Sequence, residues 1–402
     1  MSIKKSTFIF ILAMLLCLPS LRVQAQAPSV TIHQLGLSYG DAALYVIIDT
    51  TRGSAFAPSH WDTTVILIDA QLQYRAVQKY LFGYMDSILR WLHRPIVDYV
   101  VLSHVHIDHY GSMTAVMDSL RVHRDSVTKV FDRFHLTGAL YPYINMPKQG
   151  KTALAYKNYM QTKSTAGRFA WVSIQPGGNL LQDKNLVNFS MTCLSANGRC
   201  MNGTGYDSIF IPKVGAGKYE PKNENDLSYS FLLSFGAFNY YTGGDLGGDE
   251  SSDYADGETP IAQYLRRTKP AGFHLCAFKV DHHGSEHSTN DTLVKLLNPT
   301  LAVVPAGLHS FSGTTLPTDA AMGKLRAIND SIRYTFIPNN PSANVNNWKL
   351  GYLQDVVLSI TGVPASGANV TMNVSLRRRD KDSRRLDGTI VNQVITCTKT
   401  HN

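Results

Sequence analysis

V-V-L-S-H-V-H-I-D-H-Y-G, at Val100–Gly111, is the stretch of this sequence that decides its fold. Within six positions it holds His104, His106, Asp108 and His109. The run that begins at Ile96 and leads into it is apolar and β-branched, which is typical of a buried strand. Because side chains of an extended segment alternate between faces, His104 and His106 point the same way.

Imidazole and carboxylate groups at this spacing, directly after a strand, are typical of a metal site. One zinc ion cannot use all four groups and keep an open position, so the spacing predicts two neighbouring metal ions. A solvated histidine-rich loop is the alternative, and the placement after a buried strand argues against it.

The stretch resembles the H-x-H-x-D-H signature of the metallo-β-lactamase superfamily. The resemblance covers about Thr31 to Thr361, and further motifs narrow it to the hydrolase domain of bacterial DNA-uptake channel proteins and to secreted phosphorylcholine esterases. It implies an α/β fold, the αββα sandwich of two mixed sheets flanked by helices, followed here by a C-terminal β-hairpin extension. It also implies two divalent metal ions, zinc by default with manganese or iron as alternatives, and a hydroxide nucleophile between them.

The resemblance also implies which residues bind the metals. One ion is held by His104, His106 and Asp245, and the other by Asp108, His109, Asp245 and His283. Asp245 follows Gly243-Gly244 at the end of a predicted hairpin, where glycine lets the backbone approach closely. Gly-Gly-Asp alone is a weak signal with an ordinary loop aspartate as the alternative, but Asn225 and Ser228 before the hairpin match the same subfamily.

The segment Phe278–Ser288 reads F-K-V-D-H-H-G-S-E-H-S, and its His-His-Gly-Ser resembles the DNA-uptake subfamily. One histidine should complete the second metal site, while the other donates a proton to the substrate or holds it. Alternation does not decide between them, and we favour His283 as the ligand and His282 as the catalytic group. The predicted catalytic set is Asp108, His282 and His309. The predicted phosphoryl contacts are Asn225, Ser228 and Ser285.

His309 enters this set as a substitute. The family has a histidine-proline pair before a helix, and Leu316-Pro317 stands in that place here. His309 lies a few residues earlier, and a solvated loop histidine is the alternative for it. The family also has a glycine shortly after the aspartate that ends the strand Val65–Asp69. Gln71 stands there instead, so we expect that loop to differ.

Helical periodicity predicts helices over Tyr74 to Leu92, Ser112 to Leu120 and Thr318 to Ile328. Strands that alternate with helices indicate layers of sheet covered by helices. Residues 136–185 are the least family-like part and interleave tyrosines with lysines. We interpret this insertion as an amphipathic helix with a solvated lysine face. A clamp for an anionic or aromatic ligand is the alternative.

The N-terminus has the pattern of a secretory signal. Lys4 and Lys5 precede the apolar run Phe8–Leu18, and Val23-Gln24-Ala25 offers a small-residue cleavage site. A retained membrane anchor is the alternative, but the run is short for a span and no later stretch is suitable. We therefore expect a signal at 1–25, a hydrolase domain at 28–361, a β-rich extension at 362–402, and a secreted or periplasmic protein.

The net charge bears on the binding partners of the protein, and the cysteines bear on its disulfides. The formal net charge of +8 falls to +5 once the three cations of the signal are removed, which is a mild bias toward anionic partners. The resemblance implies that the partner is a small anionic or phosphoester substrate. This charge is too small to predict nucleic-acid binding by itself, and nucleic acid stays an open alternative. Cys193 and Cys200 flank a short polar loop, either as a disulfide or as free thiols. We interpret Cys276 as a small buried hydrophobe.

The sequence thus predicts a secreted, metal-dependent hydrolase of phosphodiester or phosphoester bonds. A lactonase or β-lactamase, which cleaves a cyclic ester or amide, is the alternative within the same fold. A non-catalytic surface-binding protein on a relic hydrolase fold is the alternative of a different class. Loss of metal ligands would mark such a relic, whereas the motif at His104–His109 is intact.

Overall fold

The computed structural model describes residues 27–36, 40–51, 62–135, 150–202, 205–208, 223–249, 251, 253–271, 273–306, 309–311, 313–328, 333–336, 344–345, 348–349, 353–379 and 386–398. The signal at 1–25 lies outside them. The strands are Ser29–Gln34 (β1), Ala43–Asp49 (β2), Asp62–Ile68 (β3), Ile96–Val101 (β4), Ser126–Phe131 (β5), Ala170–Val172 (β6), Phe189–Ala196 (β7), Arg199–Asn202 (β8), Gly205–Ser208 (β9), Ser230–Phe235 (β10), Phe238–Thr242 (β11), Ala277–Lys279 (β12), Leu301–Val304 (β13), His309–Phe311 (β14), Thr314–Leu316 (β15), Arg333–Phe336 (β16), Asn344–Val345 (β17), Trp348–Lys349 (β18), Leu353–Thr361 (β19), Val370–Arg379 (β20) and Leu386–Cys397 (β21). The helices are Arg75–Trp91 (α1), Ile107–Tyr110 (α2), Met113–Val122 (α3), Gly150–Thr165 (α4), Glu258–Thr268 (α5), Asp291–Leu297 (α6) and Asp319–Ile328 (α7), with short 3-10 turns at Arg133–His135, Asn225–Leu227 and Asp281–Gly284.

Most strands form two mixed sheets. The first has nine strands in the order β21-β20-β19-β1-β2-β3-β4-β5-β6, and the second has eight in the order β16-β13-β12-β11-β10-β7-β8-β9. In the first sheet, β1 pairs antiparallel with β2 while β3 and β4 are parallel. In the second, β10 and β11 form the predicted antiparallel hairpin, and β11, β12 and β13 run parallel.

Three hydrophobic clusters define the layers. The central one joins residues of both sheets, such as Tyr45 and Tyr240, and therefore fills the space between them. A second cluster packs α1, α3 and α4 on the outer face of the first sheet. A third packs α5, α6 and α7 on the outer face of the second. The predicted αββα sandwich is confirmed.

Helix α1 shows how the pattern of apolar residues produces this packing. Val77, Leu81, Met85 and Leu89 recur every four residues and are all buried. Each such side chain, when fully buried, stabilises the fold by roughly 1.5–3 kcal/mol. The helix ends at Trp91, and Pro95 prevents its continuation. No helix within the described ranges is both long and apolar enough to cross a bilayer.

The insertion contains the expected helix, α4. Tyr156 is buried against the first sheet and donates a hydrogen bond to Asp132, while Tyr159 and Lys163 both bond to Asp118. The tyrosines of α4 are thus used in packing. Tyr141, Tyr143 and Lys148 of the same insertion lie outside the described residues.

The C-terminal extension is the predicted β-hairpin, and it continues the first sheet. Strand β20 pairs antiparallel with β19 and β21 pairs with β20, which makes β21 an edge strand. The turn between β20 and β21, at residues 380–385, lies outside the described residues.

One disulfide joins the two sheets, and it corrects the interpretation of Cys276. Cys276, just before β12, is bonded to Cys397 at the end of β21, whereas Cys193 and Cys200 are buried and are not joined to each other by a disulfide. The partners are 121 residues apart in sequence. Cys276 is flanked by apolar residues and Cys397 by two threonines, and neither surrounding signals its partner locally. They meet only because their strands lie in facing sheets.

Candidate metal centre

The predicted ligands meet at one edge of the sandwich, where parallel strands end. Asp69 follows β3 and the H-x-H-x-D-H segment follows β4, while Asp245 follows β11 and His282 and His283 follow β12. The carboxyl ends of parallel neighbours share an edge, so these residues converge. The Tyr229 amide donates to the Ser103 carbonyl at 2.9 Å and links the two sheets at this edge.

Three overlapping groups of possible metal ligands result, and the two that contain most of the predicted ligands share Asp245; the third consists of Asp41, Asp69 and His109. Of the two that share Asp245, one contains His104, His106 and Asp245, and the other contains Asp108, His109, Asp245 and His283. In the first, His104 Nε2 lies 2.9 Å from His106 Nδ1 and 3.8 Å from Asp245 Oδ2. In the second, Asp245 Oδ2 lies 3.3 Å from His109 Nε2 and 3.4 Å from His283 Nε2. His282 belongs to neither group.

Two histidines are held so that one ring nitrogen faces the cluster. His109 Nδ1 lies 2.8 Å from Asp69 Oδ2, and His283 Nδ1 lies 3.0 Å from the Pro305 carbonyl oxygen. Each Nδ1 therefore donates its proton outward, and Nε2 is the ring atom that faces Asp245. His109 Nε2 is buried with no hydrogen-bond partner in the described part of the chain. This tautomer and orientation are those of a metal-binding imidazole.

The charges of the cluster favour a cation. Burial acts to lower the pKa of His109, but nearby carboxylates, Asp245 foremost, outweigh it and hold the pKa well above its ordinary value. Burial also acts to lower the pKa of His283, yet Asp245 and Asp108 raise it to about 10. The cluster thus demands positive charge, which ring protons or metal ions can supply. The donor set fits two divalent cations of the zinc, manganese or iron type.

Asp69 supports the cluster from behind. Its carboxylate accepts hydrogen bonds from the Ser103 amide and hydroxyl, both at 2.7 Å, and from His109. The next turn contains Gln71 at a φ of +54°, a left-handed conformation that a glycine adopts more readily. Its side chain donates a hydrogen bond to the Leu35 carbonyl, which holds the loop in this conformation. That this loop differs from the one in the resembled family stays a prediction.

A buried ion pair ties three segments of the site together. Lys279 Nζ lies 2.7 Å from Asp41 Oδ2 and donates to the Gly244 carbonyl at 2.5 Å, next to Asp245. Both charged side chains are buried. The Asp41 amide in turn donates to the Asp108 carbonyl. Gly40 permits this approach, because a Cβ atom there would lie 2.1 Å from that carbonyl oxygen.

A second buried pair lies behind the two histidines of the first group. Arg133 donates two hydrogen bonds of 2.6 Å to the carboxylate of Glu224, one to each oxygen. Glu224 also accepts from the amide of Val105, the residue between His104 and His106. The pair therefore fixes the backbone that presents both rings. Sequence reasoning missed this pair and Lys279, although a lysine in the apolar run A-F-K-V before the paired histidines was a readable signal.

The predicted substrate contacts differ in their surroundings. His282 Nε2 lies 3.9 Å from Asp245 Oδ2 and 3.2 Å from Asn225 Nδ2, and the ring is partly exposed. Ser285 is buried beside it in the same turn. Ser228 is fully buried, and its hydroxyl accepts from the Asp245 amide at 3.3 Å, so it supports that carboxylate. Contact of any of these residues with a substrate stays a prediction.

The environment of His282 affects its predicted role as a proton donor. Burial lowers its pKa to about 4, with the neighbouring His283 and His106 acting in the same direction. A ring with this pKa is neutral at pH 7, and a neutral imidazole can still hydrogen-bond a substrate. Its role in catalysis stays a prediction.

His309 begins β14, and its backbone pairs with Leu316. This places it opposite the position where the family has its histidine. Its side chain lies outside the described part of the chain, so its catalytic role also stays a prediction.

No protein-family model matches this chain, and no curated protein is similar to it in sequence. Among solved structures it is similar to the metallo-beta-lactamase fold protein YhfI from Bacillus subtilis, with 13% identity over 83% of this chain and 99% of that one and a TM-score of 0.42. It is also similar to unliganded yeast PDE1, with 10% identity over 76% of this chain and 97% of that one and a TM-score of 0.43. It is similar, too, to a diphosphatase from the PhnP family, with 9% identity over 68% of this chain and 85% of that one and a TM-score of 0.33. Similarities this distant carry no information on the reaction of this chain.

The Lys279–Asp41 pair yields a stability prediction. Lys279→Met should lower the free energy of unfolding by about 3–5 kcal/mol, because it leaves the Asp41 carboxylate buried without its cation. The double variant Lys279→Met/Asp41→Asn should lose less than the sum of the two single variants. Denaturant titrations of all four proteins measure the coupling, and strictly additive losses would show that the two residues do not interact.

Proposed function

We propose that this chain is a secreted, metal-dependent hydrolase of phosphodiester or phosphoester bonds. The observation that carries the proposal is the pair of buried rings, His109 and His283. Each directs an Nε2 atom at the shared carboxylate of Asp245 while its Nδ1 is bonded on the far side. Imidazoles held in this way around a carboxylate are typical of metal ligation in hydrolytic sites.

The proposed ligands belong to the two groups that share Asp245, with one metal ion for each group. His104, His106 and Asp245 would hold one cation, and Asp108, His109, Asp245 and His283 the other. Zinc is the default ion, and manganese or iron suits the same nitrogen and oxygen donors. When bound, such a pair supplies Lewis acidity and activates water for attack near neutral pH.

The chain's own residues orient the substrate around this pair. The His282 ring and the Asn225 amide stand together beside Asp245, where both can hydrogen-bond a phosphoryl oxygen. The Asn225 side-chain oxygen has no partner within the described residues. The phosphoester class itself rests on the resemblance of His282–Ser285 and of Asn225 and Ser228 to the DNA-uptake and phosphorylcholine esterase hydrolases.

Export belongs to the same proposal. The Cys276–Cys397 disulfide supports it, because structural disulfides persist mainly in oxidising compartments. The charged and apolar pattern of residues 1–25 supports it independently. Intact mass of exported protein should show loss of the first 25 to 27 residues, and a full-length mass would contradict the signal.

The paired histidines should respond differently to mutation. His283→Ala should lose about one of two metal ions per chain, because its Nε2 faces the shared carboxylate. His282→Ala should keep both ions and turn over more slowly. Elemental analysis of the purified variants measures the number of metal ions per chain. Asp245→Asn serves as a control, because it should weaken binding of both ions. Equal metal loss in the two variants would contradict the assignment.

A substrate panel tests the reaction class. Bis-nitrophenyl phosphate, nitrophenyl phosphorylcholine, DNA, an acyl-homoserine lactone and nitrocefin should be compared on the same preparation. Hydrolysis of a phosphorus ester is expected, with activity lost on chelation and restored by added metal. Turnover of the lactone or nitrocefin alone would establish the alternative hydrolase class. A chain that purifies without metal and hydrolyses none of them would refute the proposal.

A further inference from the structure

A separate group of metal-ligand atoms lies away from the proposed centre. It consists of His274, Cys276 and Cys397, whose ligand atoms all lie within 4.8 Å of one another. His274 Nε2 is 2.8 Å from Cys397 Sγ. Both cysteines are fully buried and His274 is partly exposed. The group stands at the start of β12, whereas His282 and His283 follow the end of that strand.

We propose that these three residues bind a borderline or soft metal ion such as Zn²⁺ when the disulfide is reduced. Two thiolates and one imidazole are ligands that zinc prefers, and three protein ligands leave a fourth position open. The group contains no carboxylate, which separates it chemically from the nitrogen and oxygen donors around Asp245.

The backbone around the group holds the ligands in place. The Cys276 amide donates to Asn239 and its carbonyl accepts from Leu301, so this residue is fixed between β11 and β13. Cys397 is paired with Val370 in the facing sheet. Zinc-bound thiolates lie about 3.8 Å apart and disulfide sulfurs about 2 Å. With Cα atoms 5.2 Å apart, side-chain rotation can provide that separation.

The change between the two forms is a balanced exchange. Two thiols of a reductant form a disulfide of their own, and Cys276 and Cys397 each become a thiol. Zinc binding then releases the two thiol protons and forms two zinc–sulfur bonds and one zinc–nitrogen bond. In either form the edge strand β21 stays joined to the second sheet, by a covalent bond or by the metal.

Solvent can reach the group from one side. A cavity of about 230 Å³ opens beside His274 and is also lined by Asn239, Lys269, Phe273 and Ser366. It offers a path for a metal ion, and water in it can fill the fourth position.

Cobalt distinguishes this group from the proposed hydrolytic centre. Thiolate ligation of Co²⁺ gives an intense charge-transfer absorption in the near ultraviolet, which imidazole and carboxylate ligation does not. The mature protein, saturated first with Zn²⁺ at the hydrolytic centre, should be titrated with Co²⁺ before and after reduction by a phosphine. We expect the band only after reduction, with saturation near one Co²⁺ per chain.

Variants assign the band to these residues. Cys397→Ser should abolish it, His274→Ala should shift the titration to higher Co²⁺ concentration, and Cys193→Ala, at a buried free cysteine, should leave it unchanged. With the hydrolytic centre already saturated, further Zn²⁺ should raise the melting temperature of the reduced wild type and leave that of the oxidised wild type unchanged, a comparison that needs no variant. A reduced wild type without the band, or a band that survives Cys397→Ser, would overturn the proposal. Neither result depends on hydrolytic activity, so the proposed function is tested separately.

Discussion

Buried negative charge at one edge of the sandwich is the constraint on which the rest of this structure depends. Five carboxyl groups are buried there, namely Asp41, Asp69, Asp108, Asp245 and Asp281. Burial raises the pKa of Asp41 and raises that of Asp281 to about 7, whereas the histidines around Asp245 outweigh burial and hold its pKa well below the ordinary value. Ionised groups out of water are costly unless they are paired, and Lys279 is the buried lysine among them. Further positive charge comes from His109 and His283, because the carboxylates raise the pKa values of both rings. Divalent cations at the proposed centre would supply the same positive charge, so the charge of the site and its proposed chemistry have one origin.

A part of this site can be predicted from the sequence when its residues lie close together in the chain, and is missed when they are far apart. His104 to His109 lie within six residues, so their spacing alone predicts a metal site. The roles of Asp245 and His283 came from motif order, because Gly-Gly-Asp and paired histidines are common in loops. Glu224 gave no signal at all, since its partner Arg133 is 91 residues away in sequence. The Cys276–Cys397 bond was missed for the same reason, because only the topology of the two sheets brings such partners together.

Strand β12 is held at both of its ends. It has only three residues, yet it carries Lys279 and leads into His282 and His283. At its start, the Cys276–Cys397 disulfide links it to the edge of the facing sheet. At its end, Lys279 is fixed by Asp41 and by the Gly244 carbonyl. A short strand held in this way can present ligands with little positional freedom, which a metal site requires. The C-terminal hairpin thereby contributes to the site from the opposite end of the strand.

The turn that follows β12 stores backbone strain. His282 and His283 both adopt positive φ, at +47° and +54°, and left-handed residues other than glycine cost of order 1–3 kcal/mol each. An extended chain would send two consecutive side chains to opposite faces. The left-handed turn instead brings both rings toward Asp245, one at 3.4 Å and the other at 3.9 Å. Glycine at either position would relieve the strain but remove a ring. The strain is therefore the consequence of placing a ligand and a second imidazole side by side, and the buried contacts of Lys279, Ser285 and Pro305 around the turn offset it.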